Sequence, residues 1–182
     1  MKKQLFLCLL LVGESLMAMP SQILMIRHAE KPVSGNELSP KGWERAKLLP
    51  SLFERIEFKK FGMPTALYAM TPSKPGGSVR AIQTLRYVSE KLVLKINSDF
   101  TRDQVIEMVS EIKNERTYDG KMIVICWEHK VLLDLAKALG VKEPLDWPSQ
   151  QFDRVWSLTY GIDNTVKFEN LPERLVPGDS LN

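Results

Sequence analysis

The chain has 182 residues, 44% of them hydrophobic, and a formal net charge of +3 at neutral pH. That length fills one core and gives no reason for two domains. The small charge, spread over interleaved acidic and basic residues, leaves no electrostatic footprint for a nucleic acid partner, so any anion specificity must come from a few placed cations.

The first residues differ from the rest. Met1-Lys2-Lys3 is a basic start, and Leu5 to Val12 is an unbroken apolar run of eight residues, the pattern of an export signal. No stable membrane span is expected, because crossing a bilayer takes ~20 residues. Residues 1–18 are read as a signal peptide ending at the small residue Ala18, and residues 19–182 as a single domain. Export to a bacterial periplasm is expected, with a cytoplasmic location as the alternative if the segment is not a signal. Its removal takes away Lys2, Lys3 and Glu14 and leaves a net charge of +2. Of the two cysteines, Cys8 lies in this segment, so the mature chain keeps only Cys126 and forms no internal disulfide.

Ile23 to Ile26 is a run of four large apolar residues, the pattern of a strand covered on both faces, and it stops in Arg27-His28-Ala29-Glu30-Lys31-Pro32. Pro32 turns the chain into a loop at Lys31. Ligands of open α/β sheets bind just past the carboxyl ends of strands, where Arg27 and His28 stand. After a loop from Val33 to Leu38, Ser39 reads as a helix N-cap with Pro40 at the first helical position. Trp43, Ala46, Leu49, Leu52, Phe53 and Ile56 form an approximate apolar stripe, and Pro50 predicts a kink or a helix in two pieces.

Thr65 to Met70 reads as the second strand, followed by a breaker-rich loop from Thr71 to Gly77. Ser78 reads as the N-cap of another helix. This puts Arg80 in the first turn, where free backbone N–H groups already favour an anion. Leu92 to Ile96 reads as a short third strand. Thr101 to Gln104 fits a capping box, opening a helix with Val105, Ile106, Val109 and Ile112 on one side.

Met122 to Trp127 is the strongest buried-strand signal, and it ends in Glu128-His129, so both histidines of the chain close an apolar strand run. Val131, Leu132, Leu135, Ala136 and Leu139 follow as a helical face ending at Gly140. Val155 to Tyr160 and Thr165 to Phe168 read as a closing antiparallel hairpin, with an irregular tail after Leu171. No Walker-type loop or Cys/His metal spacing occurs, and no metal or cofactor is expected.

Four segments together resemble the histidine phosphatase superfamily, also called phosphoglycerate mutase-like. They are Arg27-His28-Ala29-Glu30, Leu38-Ser39-x-x-Gly42-x-x-Arg45-Ala46, Ser78-x-Arg80-x-x-Gln83-Thr84 and Glu128-His129, spanning about residues 23–139. The Arg-His-Ala-Glu-Lys-Pro form is similar to a bacterial subgroup. The resemblance implies an α/β fold: a three-layer α/β/α sandwich whose central sheet is mostly parallel with an antiparallel edge. It implies a phosphatase rather than a mutase, because the chain lacks the long insertion after the third strand that covers the pocket of larger members.

The resemblance also implies roles. Phosphoryl transfer needs an in-line nucleophile, charge stabilisation on the equatorial oxygens and a proton for the leaving group. His28 matches the nucleophile and would form a phosphohistidine, while Arg27 and Arg80 would clamp phosphate oxygens bidentately, a geometry lysine cannot reproduce. His129 would donate to a non-bridging oxygen. Glu128 is the first candidate for general acid, with Glu30 and Asp99 as alternatives. Strand alternation sends Glu128 and His129 to opposite faces unless the strand has already ended. Lys31 either screens the phosphate or is a solvated lysine, and Ser39 either contributes a hydroxyl or only caps its helix.

The expected substrate is a phosphorylated small molecule, the alternatives being a phosphohistidine or other phosphoprotein and a non-catalytic phosphate-binding module. Specificity is expected to lie in the loops Val33 to Leu38, Ser73 to Gly77 and Asp146 to Asp153. The central expectation is that Arg27, His28, Arg80 and His129 meet around one phosphate.

Overall fold

The structure, a computed structural model, describes residues 19–163 and 165–181, and the candidate signal peptide lies outside them. One sheet contains β1 (Gln22–Arg27), β2 (Pro64–Ala69), β3 (Ile96–Asn97), β4 (Met122–Trp127), β5 (Arg154–Tyr160) and β6 (Val166–Pro172). Their spatial order is β3-β2-β4-β1-β5-β6. The first four in that order are parallel, β5 runs antiparallel to β1, and β6 runs antiparallel to β5. The connections carry α1 (Pro40–Leu52), α2 (Arg80–Leu92), α3 (Val105–Asn114) and α4 (His129–Ala138). Right-handed crossovers put α1 and α2 on one face and α3 and α4 on the other, in accord with the packing of α1 on α2 and α3 on α4.

β1 and β4 are buried at every position, which is why each reads as an unbroken apolar run. The chain leaves β1 toward β2 and leaves β4 toward β5, in opposite directions along the sheet. The order therefore reverses between the adjacent tips of β1 and β4, which opens a crevice there.

Several local expectations are corrected. α1 is one helix: Pro50 sits in its last turn, two residues from the end, so little helix remains to be disrupted. Ile56 lies beyond that end and is exposed. Val79, not Ser78, occupies the N-cap of α2, and the Ser78 hydroxyl accepts from Arg80 Nη1 instead. α2 continues through Leu92 and stops at Val93 in the left-handed region, so the third strand shrinks to Ile96–Asn97. Gln104 does accept from the backbone N–H of Thr101, but this closes a turn ahead of α3. With the helix starting at Val105, Ile106 faces outward and Met108 takes its place in the core.

The tail is also more than an irregular end. β6 reaches Pro172, and the next residues deliver two carboxylates to Arg45 on α1. Arg45 Nε and Nη2 donate to Glu30 at 3.0 and 2.7 Å, Nη1 donates to Glu173 at 2.7 Å, and Nη1 and Nη2 donate to Asp179 at 2.9 and 2.7 Å. Asp179 in turn accepts from the backbone N–H groups of Leu175 and Val176. A single buried guanidinium thus joins the loop after β1 to the last turn of the chain.

Three carboxylates around one cation leave negative charge in excess. Burial, with Asp179 and Glu30 nearby, raises the Glu173 carboxyl from its ordinary 4.5 to about 8. In that interval the folded state holds a proton that the unfolded chain has released. Stability is therefore expected to be fullest below about 4.5 and to decline as pH rises through about 8, as far as this group controls it. Glu173→Gln should flatten that slope in urea midpoints measured across the range, and an unchanged slope would refute the assignment.

Gly42 has a close-approach role. A Cβ there would stand 2.3 Å from the Glu30 carbonyl oxygen, which already accepts from Ser39 N–H at 2.9 Å. Gly42→Ala must push α1 off the loop that follows β1. It is expected to destabilise by about 1–3 kcal/mol, read as a lower denaturation midpoint. A wild-type midpoint would refute the contact.

Candidate active site

β1 and β4 pair in register through Arg27 and Trp127, and His28 N–H extends the pairing by donating to the Trp127 carbonyl at 3.1 Å. The backbone ladder therefore sets His28 beside the end of β4. His28 Nδ1 lies 2.8 Å from the Ala29 carbonyl. A carbonyl only accepts, so Nδ1 carries the proton and Nε2 keeps a free lone pair. The residue is 5% exposed, and burial lowers its pKa to about 4, with the positive charges of Arg27 and Arg80 acting in the same direction. At neutral pH it is an uncharged imidazole with one nitrogen available for attack.

Ala29 N–H donates to Thr84 Oγ1 at 2.9 Å, and that hydroxyl donates to the Arg80 carbonyl at 2.7 Å. Thr84 thereby links the turn after the imidazole to the first turn of α2, which carries Arg80. Gln83 holds the same neighbourhood by accepting from Leu38 N–H at 2.9 Å.

Both arginines are held by neutral groups. Arg27, 1% exposed, donates through Nη1 to the carbonyls of Ser149 and Gln151 at 2.7 and 2.9 Å, and its guanidinium carbon lies 3.8 Å from the Phe152 ring centroid. Arg80 donates to the carbonyls of Glu37 and Gly35 and to Ser78 Oγ. Burial lowers the Arg27 pKa to about 10, which still leaves it charged at neutral pH. Among the described residues neither arginine forms an ion pair. Carbonyls and an aromatic ring fix their orientation without cancelling their charge, which stays available to an anion.

These side chains converge. Arg27, His28, Lys31, Arg80, Glu128 and His129 line one pocket of about 210 Å3, completed by Met70, Ser78 and Lys130. β4 has ended at Trp127, with Glu128 at the N-cap of α4 and His129 as its first residue, so strand alternation no longer separates them. Burial and Arg27 lower the His129 pKa, and its Nδ1 is buried with no partner among the described residues.

Three sequence candidates lie elsewhere. The Ser39 hydroxyl accepts from Gly42 N–H at 3.1 Å, as a helix cap does, and does not line the pocket. Glu30 is taken by Arg45, and Asp99 is exposed outside the pocket. Three larger hollows lined by described residues, among them one of about 490 Å3 between α1 and α2, contain no histidine or arginine. Among the described residues no group of three His, Cys, Asp or Glu side chains is placed to hold a metal ion, and no helix is long and apolar enough to cross a membrane.

No family model and no curated protein matches the sequence. Solved structures do match the architecture. The structure of the protein histidine phosphatase SixA complexed with tungstate superposes with a TM-score of 0.55 at 17% identity, over 84% of this chain and 97% of that one. A phosphoglycerate mutase from Plasmodium falciparum superposes with a TM-score of 0.58 at 12% identity, over 88% and 96%. The chain has a phosphoglycerate mutase-like fold. In this example of that fold, sequence reasoning found the strand tips but missed how the pocket is held. Phe152 and the carbonyls of Ser149 and Gln151 come from a segment with no periodic signal, and Lys130 stands in none of the four segments that carry the resemblance. Thr84 stood in a quoted motif, but nothing in the sequence indicated that its hydroxyl joins two backbone segments.

Proposed function

We propose that this protein is a metal-independent phosphohydrolase that cleaves a phosphomonoester through a phosphohistidine on His28. The observation that carries this reading is a neutral imidazole with a free Nε2, set beside two guanidinium groups that have no carboxylate partner among the described residues. His28 Nε2 attacks phosphorus as the ester P–O bond breaks, with Arg27 and Arg80 holding the equatorial oxygens and His129 donating to one of them. Glu128, the one acid candidate that lines the pocket, gives its proton to the leaving oxygen. It then takes a proton from the water that cleaves the N–P bond and releases phosphate.

A second reading, a phosphohistidine or phosphoprotein phosphatase, is favoured by the small pocket and by the likeness to SixA, a protein histidine phosphatase. Its leaving group would be a nitrogen, with the same attack by His28. Export and the bacterial subgroup rest on residues 1–18 and on the Arg27 to Pro32 motif alone.

Purified protein is expected to release phosphate from an aryl phosphate with chelator present. A strict requirement for a divalent metal would reject this mechanism. Because the nucleophile must be unprotonated, kcat/KM is expected to hold as pH falls and to drop only near the His28 value of about 4. Steady-state rates over an acid pH series, corrected for the second ionisation of the phosphoester at ~6, check this, and a remaining drop near 6.5 would contradict the buried, neutral imidazole. Presenting a phosphohistidine-bearing protein in parallel with the small ester decides between the two substrate classes.

A further inference from the structure

We propose that the substrate carries a second anionic group, a carboxylate or a second phosphate a few bonds from the phosphorus, which Lys31 and Lys130 receive. This rests on the phosphohydrolase reading and narrows its substrate class. The cations lining the pocket are Arg27, Lys31, Arg80 and Lys130, against the single carboxylate of Glu128. With both imidazoles neutral, the lining carries three net positive charges when Glu128 is ionised and four when it holds the proton it donates, in either case more than a phosphoryl dianion supplies in return.

The two arginines are the ones fixed for the phosphoryl, because carbonyls and Phe152 hold them in place. Lys31 and Lys130 line the same pocket, are exposed, and make no hydrogen bond or ion pair among the described residues. One comes from the loop after β1 and the other from the first turn of α4, so they approach from the two strand tips that bracket the phosphoryl position. A pocket of about 210 Å3 is smaller than the ~300–1,000 Å3 of drug-sized ligand sites. It takes the phosphoryl and its immediate neighbourhood, so the second charge must lie close to the first. Long, mobile ammonium groups suit a partner of variable position, as bidentate arginines suit a fixed one.

The test uses two readouts on the full chain and on Lys31→Met, Lys130→Met and the double variant, which keep an apolar stem and lose the charge. In turnover, phosphoglycolate is compared with ethyl phosphate, and propane-1,3-diyl bisphosphate with propyl phosphate. These arms separate a carboxylate from a second phosphate. In binding, pyrophosphate is compared with inorganic phosphate by calorimetry. The wild type should favour the doubly anionic member of each pair by about tenfold at low salt, less at high salt, and the double variant should bring each ratio close to one. Equal ratios in the wild type, or a preference that survives in the double variant, would overturn the proposal. If nothing is turned over but the binding preference depends on the lysines, the hydrolase reading falls and the two-anion site stands.

Discussion

Phosphate release by His28→Ala is expected to fall by at least about a thousandfold, while the protein stays folded and still binds inorganic phosphate. Loss of a covalent nucleophile removes the reaction path itself, and what remains is the rate enhancement from positioning and charge, as in hydrolases stripped of their nucleophile. Folding should survive because the ring's single hydrogen bond goes to the adjacent Ala29 carbonyl and fixes the tautomer rather than the chain. Phosphate binding should survive because both guanidinium groups are fixed by carbonyls that the substitution does not touch. Brief incubation of wild type with a 32P-labelled ester, followed by alkaline quench, should leave label on the protein that acid removes, as a phosphoramidate requires. Activity within tenfold of wild type would sink the covalent mechanism, even if phosphate still binds.

Arg45→Met should cost about 3–5 kcal/mol of stability, because it strands the carboxylates of Glu30 and Asp179, and the buried acid of Glu173, without their shared cation. For a chain of this size that corresponds to a drop in melting temperature on the order of 10 °C. The size follows from burial: Arg45 and Glu173 are 2% and 1% exposed, so water cannot replace the lost partner. Adding Glu173→Gln to Arg45→Met should recover part of the loss above about pH 8, where Glu173 would otherwise ionise without a partner. A shift of only a degree or two, or no coupling between the two substitutions, would show that the network is dispensable. Glu30 lies two residues beyond His28, so the damaged protein should also lose activity before it melts.

The parts of this molecule legible in the sequence were those specified by local chemistry. The runs Ile23 to Ile26 and Met122 to Trp127 read as buried strands because covering both faces of a parallel sheet requires apolar residues at consecutive positions. Ser39 with Pro40 read as a helix start because the cap bond spans three residues. The misreadings arose where nonlocal packing outweighed local pattern. Leu92 packs against the core as the end of α2 although its neighbours look strand-like, and Ile106 faces solvent because α3 begins at Val105.

By itself the sequence determined which chemical groups were on hand and which strand ends would present them. Whether Arg27, His28, Arg80 and His129 shared one pocket, and whether the arginines stayed free of carboxylates, only the tertiary structure decided. The reason is that charge availability depends on what lies within a few ångströms, and those neighbours come from far along the chain. Ser149 and Gln151 hold Arg27, Gly35 and Glu37 hold Arg80, and Glu173 and Asp179 draw Glu30's partner Arg45 into a buried cluster. The same cluster decided that Glu30 is engaged elsewhere, while Glu128 lines the pocket with Arg102 Nη1 3.8 Å away.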